Sequence, residues 1–218
     1  MRFVRGRWSS VHQRASLSPC SSILRMKATI LLGTLKKEGL SNTETLCEFL
    51  VGRMKARNVE AEIVRLVDHD IPAGTCTSMG VGDEWPDILQ RVLGSEIVIF
   101  ATPIWWDNQS SLIQRVIERL DEIHDGILAG GSSPLEGKAA GIVITGDSDG
   151  AQHVIGNLCN FFNAIGLLVP TYATLSVLWE RQAKDKTPTR EELLKKYEED
   201  YASTADKMIG QLVRFAGK

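Results

Sequence analysis

Three short segments of this 218-residue chain hold residue types that could do chemistry together. The first, Gly33-Thr34-Leu-Lys-Lys-Glu-Gly-Leu-Ser41-Asn42-Thr43, ends on hydroxyl and amide side chains just ahead of a helical pattern. The first N–H groups of a helix have no partner within it, and the macrodipole adds positive character, so such a run can cradle a phosphate. The same residues serve as a plain N-cap, with Ser41 or Asn42 capping and Glu44 completing a capping box. The spacing matches neither GxGxxG nor GxxxxGK(S/T), which counts against dinucleotide-binding and P-loop readings. Lys36 and Lys37 read as solvated.

The second segment is Ala101-Thr102-Pro103-Ile104-Trp105-Trp106-Asp107-Asn108. Pro103 sets a rigid turn, and two adjacent indoles on a turn cannot both enter one core. At least one is expected to be exposed or to wall a flat aromatic ligand, the alternative being a Trp pair at a subunit interface. The third segment, Thr145-Gly146-Asp147-Ser-Asp149-Gly150, has glycines that allow close backbone approach and aspartates that accept hydrogen bonds; a tight turn or helix cap explains it equally. Taken together, the three segments specify a flat, phosphate-bearing ligand.

Other candidates are weaker. Asp68-His69-Asp70 reads as a polar turn without a second metal-ligand cluster, and no metal is expected. The four cysteines, at 20, 47, 76 and 159, lie far apart with no CxxC, which argues against a disulfide scaffold or zinc finger and for a reduced, cytoplasmic setting. His153 and Cys159 read as packing or surface residues, and His124 as a cation at the end of its helix.

The elements that must position these segments are legible as alternating apolar runs and helical stripes. Strands are expected at Ala28–Leu32, Ala61–Val67, Glu96–Ala101, Ala139–Thr145 and Leu168–Leu175, the second nearer an edge because it is more polar. Helices are expected at Ser41–Arg57, Trp85–Leu93, from about Ser110 through Ile123, Ala151–Ile165 and Leu193–Val213. Residues 68–83 form a Gly-containing loop, 126–137 a Gly/Ser/Pro connection, and 180–192 a solvated connection or a lid swapped over a neighbouring copy. Strands interleaved with helices require crossovers, hence a mostly parallel, doubly wound α/β sheet covered on both faces. Ligands bind such sheets outside the carboxyl ends of the strands, where all three segments fall.

No apolar run reaches 18 residues, so no membrane span is expected. Residues 1–25 carry five Arg and no acid, leaving 20 basic and 27 acidic residues in a body that has no electrostatic reason to bind nucleic acid. Residues 1–26 are expected to be a basic, disordered extension, either an upstream-start artefact or a transit segment, and 27–218 the folded domain.

The three segments, in order, resemble those of the flavodoxin-like NAD(P)H-dependent FMN reductase family over roughly residues 27–180. Gly33-Thr34 with Ser41-Asn42-Thr43 is similar to its phosphate loop. Thr102-Pro103-Ile104-Trp105-Trp106, continuing to Ile117-Glu118-Arg119, resembles its ring-contacting block. Leu135-Glu136-Gly137-Lys138-Ala139, leading to Thr145-Gly146 and Gly150, resembles the block on the ring's other side. Trp105 stands where the family has Tyr, and Gln114 where it has a basic residue. The resemblance implies a flavodoxin-like five-stranded parallel sheet of order 2-1-3-4-5. It implies FMN held by Thr34, Ser41, Asn42, Thr43, Thr102, Pro103, Ile104, Trp105, Trp106, Thr145, Gly146, Asp147 and Gly150. It further implies NADPH or NADH as hydride donor, a small acceptor such as a quinone or flavin, a homodimer, and no obligatory catalytic side chain because the flavin does the chemistry. Two rivals are a flavodoxin-type one-electron carrier and a flavin-less interaction protein of the same fold. On this reading Trp105→Ala is expected to impair FMN binding or reduction more than Trp85→Ala.

Overall fold

The computed structural model describes residues 25–147, 149–179 and 188–217; all but the last two residues of the extension expected over 1–26, and most of the 180–192 connection, lie outside them. Five strands, β1 (Met26–Leu32), β2 (Val59–Arg65), β3 (Ile97–Pro103), β4 (Ala139–Gly146) and β5 (Thr174–Leu178), form one parallel sheet in the order β2-β1-β3-β4-β5. β1 begins at Met26, one residue before the expected domain start. The burial patterns follow from position. β3 and β4 are buried along nearly their whole length, while edge strand β2 alternates.

Among the described residues six α-helices cover the sheet: α1 (Asn42–Lys55), α2 (Trp85–Leu93), α3 (Ser111–Arg119), α4 (Asp121–Leu128), α5 (Ala151–Ala164) and α6 (Arg190–Phe215). Helices α1 and α6 pack a core on one face with Leu46, Leu50, Tyr197 and Met208. Helices α2, α3 and α5 pack the other with Ile88, Val116, Leu158 and Phe162. Among the described residues no helix is long and apolar enough to cross a membrane.

Three elements differ from expectation. The last strand lies at 174–178 rather than 168–175. Leu168 makes only an isolated bridge to Ala139; Pro170 then removes a ladder donor, and Tyr172 turns the chain with φ 62°. The single helix expected from 110 breaks at Leu120, and His124 sits inside the second piece rather than at a helix end. Arg119, just before the break, is anchored to the 72–83 loop. The closing helix starts at Arg190, within the stretch read as a connection, because Thr189 and Glu192 form a reciprocal capping box.

The topology places the site. β1 lies between β2 and β3, so the connections leaving β1 and β3 diverge and open a crevice at the carboxyl ends of the strands.

Candidate functional site

The loops after β1, β3 and β4 converge on one hollow of about 650 Å³, within the size range of cofactor sites. Its β1 end is lined by Thr34, Leu35, Lys36, Ser41 and Asn42. Ser41 is the N-cap of α1, its hydroxyl accepting from the Glu44 N–H at 3.3 Å and donating to the Thr34 hydroxyl at 3.0 Å. Capping and ligand cradle therefore coexist in one residue, since the amides ahead of Glu44 in the first turn have no carbonyl within the helix. Arg65 holds this loop in shape by donating to the carbonyls of Lys36 and Lys37 at 3.1 and 3.2 Å, its own charge met by Glu44 and Asp68.

The other end is lined by the β3 loop from Pro103 to Asp107 and by Thr145, Gly146, Asp147 and Asp149 of the β4 loop. The Ile104 N–H donates to the Thr145 carbonyl at 2.9 Å. Close contact at two glycines locks these loops together. A Cβ on Gly146 would lie 2.7 Å from Ile104, and one on Gly150 would lie 2.8 Å from the Cα of Asp107. Gly150 also sits at φ 84°, which only glycine adopts without strain. Gly150→Ala is expected to cost about 2 kcal/mol of stability from the left-handed conformation and the backbone collision together, read by denaturant unfolding. A cost within about 0.5 kcal/mol, the range of a neutral surface change, would show that the loops are not locked there.

Ten of the thirteen expected contacts line the hollow: Thr34, Ser41, Asn42, Pro103, Ile104, Trp105, Trp106, Thr145, Gly146 and Asp147. The other three stand one layer back. The Thr43 hydroxyl is buried against that of Thr145 at 2.6 Å, tying α1 to β4. The buried Thr102 hydroxyl accepts from the Ser110 N–H at 2.9 Å and donates to the Pro103 carbonyl at 2.8 Å. Gly150 spaces the two loops. Sequence reasoning passed over Leu35, Lys36, Asp107 and Asp149, which share the lining. Lys36, read as solvated, folds back over the loop with its ammonium donating to the Leu40 carbonyl at 2.8 Å. Asp107 and Asp149 lay inside the segments already singled out, so position was the available signal.

Trp105 and Trp106 are 51% and 93% exposed at the rim, whereas Trp85 is fully buried in the core. Trp85→Ala is therefore no neutral reference for Trp105→Ala, because it would open a core cavity and cost several kcal/mol. Among the described residues no group of three or more His, Cys, Asp or Glu side chains is arranged to hold a metal ion.

The hollow thus has two chemical ends. Among the described residues, the lining around Ser41 offers hydroxyls, a helix N-terminus and one ammonium, with no carboxylate; around Trp105 it offers indoles, close backbone and three carboxylates. A dianion fits the first end and a flat ring the second, so the residues fit a flavin mononucleotide.

Comparison with known proteins agrees with this fit. A family model described as NADPH-dependent FMN reductase matches residues 26–178. The 8-demethyl-8-aminoriboflavin-5'-phosphate synthase of Streptomyces davaonensis is 32% identical over 162 residues, covering 69% of this chain and 62% of that protein. A divalent metal cation transporter, MntH, of Mycobacterium bovis is 35% identical over 153 residues, covering 68% of this chain and 22% of that protein. The chain therefore spans less than two thirds of the length of these curated relatives. Among solved structures, RosB with bound 8-demethyl-8-formylriboflavin-5'-phosphate superposes with a TM-score of 0.70 at 25% identity, covering 87% of this chain and 78% of that one.

Proposed function

The chain belongs to the NADPH-dependent FMN reductase family, whose cofactor is FMN and whose electron donor is NAD(P)H, and from that premise we propose an oxidoreductase that delivers electrons to a small acceptor such as a quinone or a flavin. The observation that carries this reading is the single hollow with a phosphate-like end and a ring-like end, built by the loops of three adjacent strands.

FMN, when bound, would supply the two-electron redox chemistry between nicotinamide and acceptor. The residues of this chain bind and orient. Thr34, Ser41, Asn42 and the start of α1 would hold the phosphate, with Lys36 beside it. Pro103, Ile104, Trp105 and Gly146 would flank the ring, while Thr43, Thr102 and Gly150 keep the walls in register. No side chain is assigned a proton-transfer role.

The test is the visible spectrum of the purified protein after FMN addition, followed by anaerobic titration with NADPH and NADH. Stoichiometric flavin that bleaches with at least one nicotinamide supports the reading. Bound flavin that neither nicotinamide bleaches favours a one-electron carrier, and a protein that ignores FMN favours an interaction role.

A second reading has its own support. The Streptomyces relative is named for making a modified riboflavin phosphate, so flavin phosphate could be this site's substrate rather than its resident cofactor. The mass of flavin released by heat after turnover separates them: unchanged FMN supports the cofactor role, and an altered mass the substrate role.

A homodimer in the cytoplasm belongs to the same proposal. Helix α4 buries none of its residues and leaves Leu128 72% exposed, a face that a second copy would cover. Cys47, Cys76 and Cys159 are free thiols, as a reducing compartment allows. Burial pushes the Cys47 thiol far up, which keeps it unreactive.

A further inference from the structure

Trp106 and Asp107 occupy the two central positions of a tight turn. The Trp105 N–H donates to the Asn108 carbonyl at 2.8 Å, and the Asn108 N–H donates back at 3.0 Å. Both central residues have positive φ, 49° and 63°. A two-residue turn with both central residues left-handed is the type I′ geometry, for which Asn-Gly is the favoured pair and a bulky aromatic among the least favourable. An Asn-Gly corner would make the same backbone shape, including the contact of Asp107 with Gly150, at lower cost. Burial does not hold the Trp106 ring in place either, because the ring is 93% exposed. What the costly pair adds is its side chains, at the mouth of the hollow.

Those side chains have a definite chemistry. Trp106 presents an indole face, and Asp107, Asp147 and Asp149 share its end of the lining. Among the described lining residues Lys36 is the one cation, and its ammonium is bonded to the Leu40 carbonyl in the β1 loop, on a different loop from the carboxylates. A ligand entering past Trp106 therefore meets an aromatic surface within a negative field.

We infer that the Trp106–Asp107 corner selects the electron acceptor, taking flat rings that are neutral or cationic and disfavouring anionic ones. Trp106 supplies the stacking face, and the Asp107 and Asp147 carboxylates supply the discrimination. The inference rests on the flavin oxidoreductase reading above.

The experiment compares menadione, a neutral naphthoquinone, with 1,4-naphthoquinone-2-sulfonate in the FMN-loaded protein. Differences in intrinsic reactivity cancel when each quinone is followed across salt concentrations and variants. The Asp107 and Asp147 charges near the mouth should depress kcat/KM for the sulfonate about fivefold at low salt. Raising ionic strength to about 0.5 M should recover most of that factor while leaving menadione nearly unchanged. Asp107→Asn should raise the sulfonate-to-menadione ratio about twofold to threefold.

A second variant gives readouts that need no turnover. Trp106→Asn with Asp107→Gly should raise the Tm of the flavin-free chain by about 4 °C through relief of the turn. It should also weaken equilibrium binding of menadione to the flavin-free chain about tenfold, as expected for loss of one stacking face. If both quinones respond alike to salt and to Asp107→Asn, the inference is overturned while flavin binding and bleaching stand. It is also overturned if the double variant melts no higher than the parent and binds menadione as tightly. A chain that takes up no FMN overturns the underlying reading, and this inference with it.

Discussion

Replacing Arg119 by methionine is expected to lower the unfolding free energy by about 3–5 kcal/mol, seen as a Tm drop of about 10 °C. Its guanidinium is fully buried and uses every donor it has. Nε donates to the Cys76 carbonyl at 2.8 Å, and the two terminal nitrogens donate to the carbonyls of Pro72 and Thr77, each at 3.1 Å, and to both oxygens of Asp83. Asp83 in turn accepts from the N–H groups of Met79 and Trp85 at 2.8 and 3.0 Å. A loop without regular secondary structure is thus tied at four points to the end of α3. Removing the cation leaves a buried carboxylate facing carbonyls, which is why the cost exceeds that of an ordinary surface ion pair.

The acid limb of stability gives an independent check. The Arg119 guanidinium holds the Asp83 carboxyl down at about 2, below its ordinary value of 3.8. A depressed carboxylate stabilises the fold above its unfolded pKa, and that contribution is lost as pH falls through the folded one. The parent should therefore lose this contribution between about pH 4 and pH 2. In Arg119→Met the buried carboxyl loses its partner and its pKa rises, so protonating it should relieve the fold, and the penalty of the variant should shrink as pH falls. A penalty that stays the same from pH 7 to pH 3 would show that the Arg119–Asp83 pair is not what holds the loop.

The second large effect concerns the phosphate end. Thr34→Val combined with Ser41→Ala removes both hydroxyls that face the hollow there. Hydrogen bonds to a charged group contribute about 1.5–3 kcal/mol each, so the FMN dissociation constant should rise by about 10²–10⁴-fold. Riboflavin, which lacks the phosphate, separates recognition from damage. Its affinity should change by less than about threefold if the site folds normally, allowing for roughly 1 kcal/mol of helix stability lost with the Ser41 cap. Parallel weakening of both flavins would mean that Thr34 and Ser41 shape the loop without contacting a phosphate.

Much of this molecule was legible in the residues. The apolar runs from Glu96 and from Ala139 could only be central strands, because continuous apolar residues must be covered on both faces. The polar second strand read as an edge and is one. The misreadings share a cause. Leu168–Leu175 has strand composition, but Pro170 and the left-handed Tyr172 split it, so pairing with β4 resumes only at Thr174. The stripe from Leu112 to Ile123 is periodic across Leu120, and periodicity alone does not register that Arg119 is drawn into a distant loop. Thr189 and Glu192 were readable as a capping box, yet the surrounding run of charges resembled a solvated connection.

The site divides along the same line. That Ser41, the Trp105–Trp106 pair and Gly146 stand at the ends of strands follows from local pattern, since strand and helix periods are properties of neighbouring residues. Which of these residues face the hollow is set by tertiary contacts, two of them between segments more than forty residues apart in the chain. Thr43 turns to Thr145, Thr102 to Ser110, and Gly150 to Asp107, while Lys36 and Asp149 enter the lining. Local composition determined the fold class and the three loops that could bind a flat, phosphate-bearing ligand, which the family resemblance identified as a flavin. The packing of those loops on one another, which depends on distances no linear pattern encodes, decided the two-ended chemistry of the hollow and the strained Trp106–Asp107 corner at its mouth.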